Sequence, residues 1–178
     1  MIGLKIREVV FHTRVQKLLP DGSKVFEWKD ITTKDCFSGK RVLIFSLPGA
    51  FTPTCSTYQL PGFEKMYGDF LCEGIEEIYC ISVNDSFVMN AWGKTLDINN
   101  VKLLPDGSGE FTRKIGMLVH KDNLGFGLRS WRYAAVVNDM IIQHWFEEKG
   151  FSDNCTTDPY EISSPENVLK HLKAINNK

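Results

Sequence analysis

The chain has 178 residues, 43% of them hydrophobic and 24% charged, which suits one globular domain and excludes disordered, collagen-like and coiled-coil classes. Lys and Arg number 21 against 22 Asp and Glu, so the net charge is −1 and the basic footprint that a nucleic acid or an anionic membrane demands is missing. Five cysteines without a Cys-x-x-Cys pair and four histidines without an H-x-x-x-H pair give no metal signature.

Met1 to Lys5 has no charged segment leading into an apolar one, so no secretory signal is read, a cytoplasmic location is expected, and the cysteines should be reduced thiols. Val9 to Thr13 and Val25 to Lys29 are β-rich runs that Pro20-Asp21-Gly22 turns into a hairpin. Val42 to Leu47 (VLIFSL), stopped by Pro48-Gly49, has the pattern of a central strand. The uncharged stretch Val42 to Phe63 is long enough for a membrane span. Pro48, Pro53 and Pro61 interrupt it, and six Ser, Thr and Gln residues lie inside, which rules a spanning helix out. A helix is expected after the strand, with Pro53 in its first turn, Thr52 or Thr54 as cap, and a kink at Pro61.

Glu76 to Val83 is the next strand, and Asn84-Asp85-Ser86 caps a helix through Leu96. Val101 to Leu104 is a short strand and Gly109 to Ile115 a short helix. Trp131 to Val137 and Met140 to Phe146 form a hairpin across Asn138-Asp139. Lys149 to Tyr160 is an irregular loop, and Ser164-Pro165 opens a final helix on which Val168, Leu169, Leu172 and Ile175 share a face. The order predicts an α/β fold of thioredoxin type: a central mixed sheet flanked by helices, with an N-terminal β-hairpin. The hexapeptide LLPDGS occurs at Leu18 and again at Leu103, but the flanks differ, so it reflects shared turn chemistry.

Cys55 is the candidate nucleophile, because a thiol in the first turn of a helix, near a cation, is driven toward thiolate. Cys36, Cys72 and Cys80 read as small apolar residues, Cys80 inside the strand EEIYCISV. Other chemistries fail on spacing. A phosphatase loop needs Arg six residues after Cys55, where Pro61 stands; Gly125-Phe126-Gly127 is followed by Ser130 in place of a third glycine; no histidine sits in the context of a cysteine hydrolase.

The run Pro48 to Ser56 (PGAFTPTCS) resembles the active-site loop of the peroxiredoxins, of the peroxiredoxin 5 or plant type II subfamily. The segments Tyr58 to Phe63, Ile81 to Val88 and Gly127 to Tyr133 resemble it in order and spacing. The resemblance implies a peroxidase without metal or other cofactor, in which Cys55 is the peroxidatic cysteine, Thr52 its hydroxyl partner, Pro48 the shield of the pocket, Arg132 the cation and Arg129 its support. Peroxides are the implied substrates and glutathione with glutaredoxin, or thioredoxin, the implied reductants. It also implies a homodimer formed near the active-site loops, with Phe51 and Phe126 as contacts. Cys155 resembles in position a resolving cysteine, and Cys80 the second cysteine of plant type II enzymes. The reading favours resolution by an external thiol over a Cys55–Cys155 disulfide. The rival is a redox-responsive sensor or holdase on the same fold, oxidised once per event.

Overall fold

A computed structural model describes residues 1–176 of the chain. At its centre is a five-stranded mixed sheet built from β3 (Arg41–Ser46), β4 (Glu77–Ser82), β5 (Lys102–Pro105), β8 (Tyr133–Asn138) and β9 (Ile141–Glu147), in the spatial order β5-β4-β3-β8-β9. β3, β4 and β5 run parallel, while β8 and β9 run antiparallel to their neighbours. Alternation along β3 splits the molecule into two cores, since successive side chains of a strand point to opposite faces. Val42 and Ile44 join Phe37, Phe111 and Trp131 on one face; Leu43 and Phe45 join Cys55, Phe63 and Leu172 on the other. Both faces are therefore covered, which is why VLIFSL reads as an unbroken apolar run.

The N-terminal hairpin pairs β1 (Val10–Leu18) with β2 (Lys24–Thr32), and Gly22 takes the positive φ of 82° that its turn requires. Both strands extend past the predicted runs, because the ladder continues through residues of mixed type, such as Arg14-Val15-Gln16-Lys17-Leu18, that lack an alternating apolar pattern. Two short elements were not anticipated. α1 (Thr33–Phe37) is started by a Thr32–Asp35 capping box, and a ribbon of β6 (Leu118–His120) with β7 (Leu128–Ser130) stands apart from the main sheet. The turn between β8 and β9 lies one residue later than predicted. Asn138 pairs with Ile141, and Asp139 and Met140 occupy the turn with φ of 44° and 69°, the left-handed pair that a two-residue hairpin demands.

The helix after β3 is irregular on the N-terminal side of Pro61 and breaks again at Met66. Its Cys55–Gln59 segment is a π-turn, with the Leu60 N–H donating to the Cys55 carbonyl, followed by α2 (Leu60–Lys65) and, beyond Met66, by α3 (Tyr67–Cys72). Pro61 has no N–H to give, and its ring would strike the carbonyl four residues back in a regular helix; the widened turn absorbs this on the N-terminal side. α4 (Ser86–Thr95) is capped by Asp85, whose carboxylate accepts from the N–H groups of Phe87 and Val88, and α5 (Glu110–Lys114) follows β5. α6 (Pro165–Asn176) buries Val168, Leu169 and Leu172 as its spacing predicts. Among the described residues no helix is long and apolar enough to cross a membrane.

α6 meets β9 through a histidine pair, with His171 Nε2 3.2 Å from His144 Nδ1. Burial, His171 and Arg41 hold the His144 imidazole below its usual 6.5. The unfolded chain therefore takes up a proton near pH 6.5 that the folded chain refuses, and stability falls as pH drops through that value. His144→Gln should flatten the fall in urea midpoint between about pH 7.5 and 5.5. An identical pH slope in the variant would show the pair to be without effect.

Candidate active site

Tyr133 pairs with Ser46, so the residue before it, Arg132, emerges beside the point where β3 gives way to the loop carrying Cys55. In that loop Pro48 and Gly49 are buried, and Phe51 adopts a left-handed φ of 64° while its ring stays 54% exposed. A non-glycine residue held there costs about 1–2 kcal/mol, so the surroundings must impose it. The residue before it is anchored by Asn84, whose side-chain oxygen accepts from the Ala50 N–H at 3.0 Å and from the Ser82 hydroxyl at 2.6 Å. At the helix start the Trp92 indole donates to the Ser56 hydroxyl at 3.0 Å.

Cys55 is fully buried and Arg132 is 2% exposed. The Arg132 Nη1 donates to Cys55 Sγ at 3.5 Å and also to Gln59 Oε1, while Nη2 pairs with Asp158 Oδ1 at 2.5 Å. The Tyr160 ring lies against the guanidinium, its centroid 5.6 Å from Cζ, and stacks in turn on Tyr58. Burial opposes the charge of Arg132, but Cys55 and Asp158 outweigh it and hold the guanidinium pKa above its usual value. Arg132 Nε and Gln59 Nε2 are buried donors with no partner among the described residues.

The Thr52 hydroxyl donates to the Gly49 carbonyl at 2.8 Å and not to the sulfur, and Thr54 is helical with no capping hydrogen bond. Neither threonine is thus the predicted side-chain cap. Arg129 lies across the loop, donating to the carbonyls of Phe126 and Val83 at 3.0 and 3.3 Å. It passes close over Gly49, where a Cβ would stand 2.8 Å from Arg129 Nη1 and displace the guanidinium tip.

The other cysteines divide by environment. Burial pushes the Cys36 thiol up to about 11. Cys80 is fully buried in the same core as Cys55, and burial, helped by charge on Cys55, raises it well above its usual value. Cys72 is exposed. Cys155, in the loop after β9, packs against the opposite core from Cys55. Hydrogen bonding to the Thr157 hydroxyl and backbone keeps its thiol below the usual range. That loop is tied to β6: the Asn154 N–H donates to the His120 carbonyl and the His120 N–H to Asp153, both at 2.8 Å. The site also includes two residues that sequence reasoning missed. Gln59, four residues after Cys55 on the same helix, was visible by spacing; Asp158 arrives from a loop whose path no local pattern gives. Among the described residues no group of three or more His, Cys, Asp or Glu side chains could hold a metal ion.

The Redoxin family profile matches residues 15–159. A peroxiredoxin of Rhizobium etli is 66% identical over 93% of this chain and 93% of its own length. The chain belongs to the peroxiredoxin family. A second peroxiredoxin, from Synechocystis sp., is 53% identical over 95% of this chain and 89% of its own. The crystal structure of the Plasmodium falciparum antioxidant protein, a 1-Cys peroxiredoxin, superimposes with a TM-score of 0.88 at 39% identity, covering 97% of this chain and 99% of that one. As a peroxiredoxin the protein is a thiol peroxidase on a thioredoxin-like fold, as the loop PGAFTPTCS implies.

Proposed function

We propose that the single domain reduces hydrogen peroxide and alkyl hydroperoxides with Cys55 as nucleophile. The observation that carries this reading is the contact of Arg132 with the Cys55 sulfur, 3.5 Å apart in a site from which water is largely excluded. The thiolate attacks one peroxide oxygen; the S–O bond forms as the O–O bond breaks, leaving a sulfenic acid on Cys55 and an alkoxide or hydroxide that takes up a proton. Arg132 stabilises first the thiolate and then the charge on the departing oxygen. The Thr52 hydroxyl has committed its proton to Gly49, so its lone pairs are free to accept from the peroxide O–H and orient it. Pro48 walls the pocket, and Arg129 fixes the loop.

Resolution by glutathione with glutaredoxin is favoured over thioredoxin acting on a Cys55–Cys155 disulfide. Cys155 packs on the other face of the sheet, and its loop would have to release both the His120 contacts and the Asp158–Arg132 pair to reach Cys55. The Plasmodium falciparum neighbour is itself a 1-Cys peroxiredoxin. A cytoplasmic homodimer, with Phe51 and Phe126 at the contact, completes the reading.

Peroxide consumption over many turnovers per Cys55, with glutathione and glutaredoxin as donors, is the expected result. A single stoichiometric oxidation with every thiol donor would favour the sensor. Non-reducing peptide mapping after one equivalent of peroxide should find a sulfenic acid or glutathione adduct on Cys55; a linked Cys55/Cys155 peptide pair would overturn external resolution.

A further inference from the structure

Arg132 is shared. One guanidinium nitrogen faces Cys55 and Gln59, and the other is taken by the Asp158 carboxylate, whose side chain is 48% exposed at the edge of the site. Building on the roles given above to Cys55 and Arg132, we propose that Asp158 is a positioning residue that fixes the guanidinium fork while offsetting part of its charge, so that it sets how readily Cys55 ionises.

The geometry gives Asp158 two separable effects. As a hydrogen-bond acceptor it pins Nη2, and because a guanidinium is planar, pinning one nitrogen orients the other toward the sulfur. As an anion it sits on the other terminal nitrogen of the cation and competes with the thiolate for the same charge, which disfavours the thiolate. Other groups that face the pair from neighbouring elements do not duplicate this. Cys80, from β4, is a neutral thiol at working pH. Tyr160, from the loop before α6, is a neutral phenol, raised by burial and by Glu166. Glu148, at the end of β9, is committed to the N–H groups of Glu161 and Ser163 and to the Ser163 hydroxyl, all at 2.8 Å. Glu166 sits on α6 beyond Tyr160. Asp158 is the carboxylate bonded to the guanidinium, and its exposure keeps the effect modest by solvent screening.

The two effects are separated by two substitutions in a background where Cys72 and Cys155 are replaced by Ser, so that iodoacetamide reports on Cys55 against Cys36 and Cys80, whose thiols are held neutral. Asp158→Asn keeps an acceptor and removes the charge. Cys55 alkylation should shift to lower pH by about half a unit, giving about three-fold faster reaction below the midpoint, and the peroxide rate constant should stay above that of Asp158→Ala. Asp158→Ala removes both, so the same shift in pH should come with a several-fold fall in the peroxide rate constant. An unmoved alkylation profile in Asp158→Asn would overturn the charge role, and an undiminished peroxide rate in Asp158→Ala would overturn the positioning role. Either result with Cys55-dependent turnover intact leaves the peroxidase reading standing, whereas turnover without Cys55 removes the reading beneath it.

Discussion

Cys55→Ser should abolish peroxide consumption with the fold intact. A serine hydroxyl is not ionised near neutral pH, even beside Arg132, and an alcohol oxygen cannot form the sulfenic acid through which the peroxide oxygen is passed on. No other cysteine is placed to substitute. Cys36 and Cys80 are held as neutral thiols by burial, and Cys155 faces the opposite core with no arginine on its sulfur. The change removes little volume, and the new hydroxyl inherits the Arg132 donor, so the loss of stability should stay near 1 kcal/mol. Cys72→Ser, at an exposed position, should leave turnover unchanged, and Cys36→Ser should leave the rate unchanged while costing some stability through its buried hydroxyl. The measurement is hydrogen peroxide consumption under recycling thiol, paired with urea unfolding of each variant. Residual turnover in Cys55→Ser would remove the assignment of the nucleophile.

The features legible in the sequence were those with a local cause. VLIFSL reads as a central strand because both of its faces are buried, Asp85 reads as a cap because its carboxylate closes the first turn of α4, and α6 is visible in the spacing of Val168, Leu169 and Leu172. The pairing of Cys55 with Arg132 was legible for a different reason: their loop and strand segments carry a family's pattern. What the sequence hid is set by tertiary register. Ser46 against Tyr133 brings Arg132 to the Cys55 loop across 77 residues of chain, and nothing near Asp158 says which cation it meets. The π-turn was hidden because Pro61 announces a disturbance without saying on which side the helix will absorb it.

Arg132→Met should lower the rate constant with hydrogen peroxide by about two to three orders of magnitude, the scale seen when one preorganised donor is removed from a site of developing charge. Two losses combine. Without the cation the Cys55 thiolate loses its neighbouring positive charge, so alkylation should require higher pH; and the oxygen leaving the broken O–O bond loses the fork that would receive its charge. Methionine keeps the unbranched stem and most of the volume, which protects the packing against Tyr160. It also strands Gln59, fully buried, whose carboxamide oxygen would lose its donor at a cost of about 1–3 kcal/mol, so a modest drop in stability is expected. Arg132→Lys separates charge from geometry. It restores a cation beside the sulfur without a planar fork, so alkylation should return toward the wild-type pH dependence while the peroxide rate recovers only in part. The decisive measurement is the pair of profiles, alkylation and peroxide reduction against pH, for the three proteins. If Arg132→Met leaves both unchanged while remaining folded, Arg132 is a structural member of the Gln59–Asp158 network, and activation of Cys55 must come from the helix start and its backbone N–H groups alone.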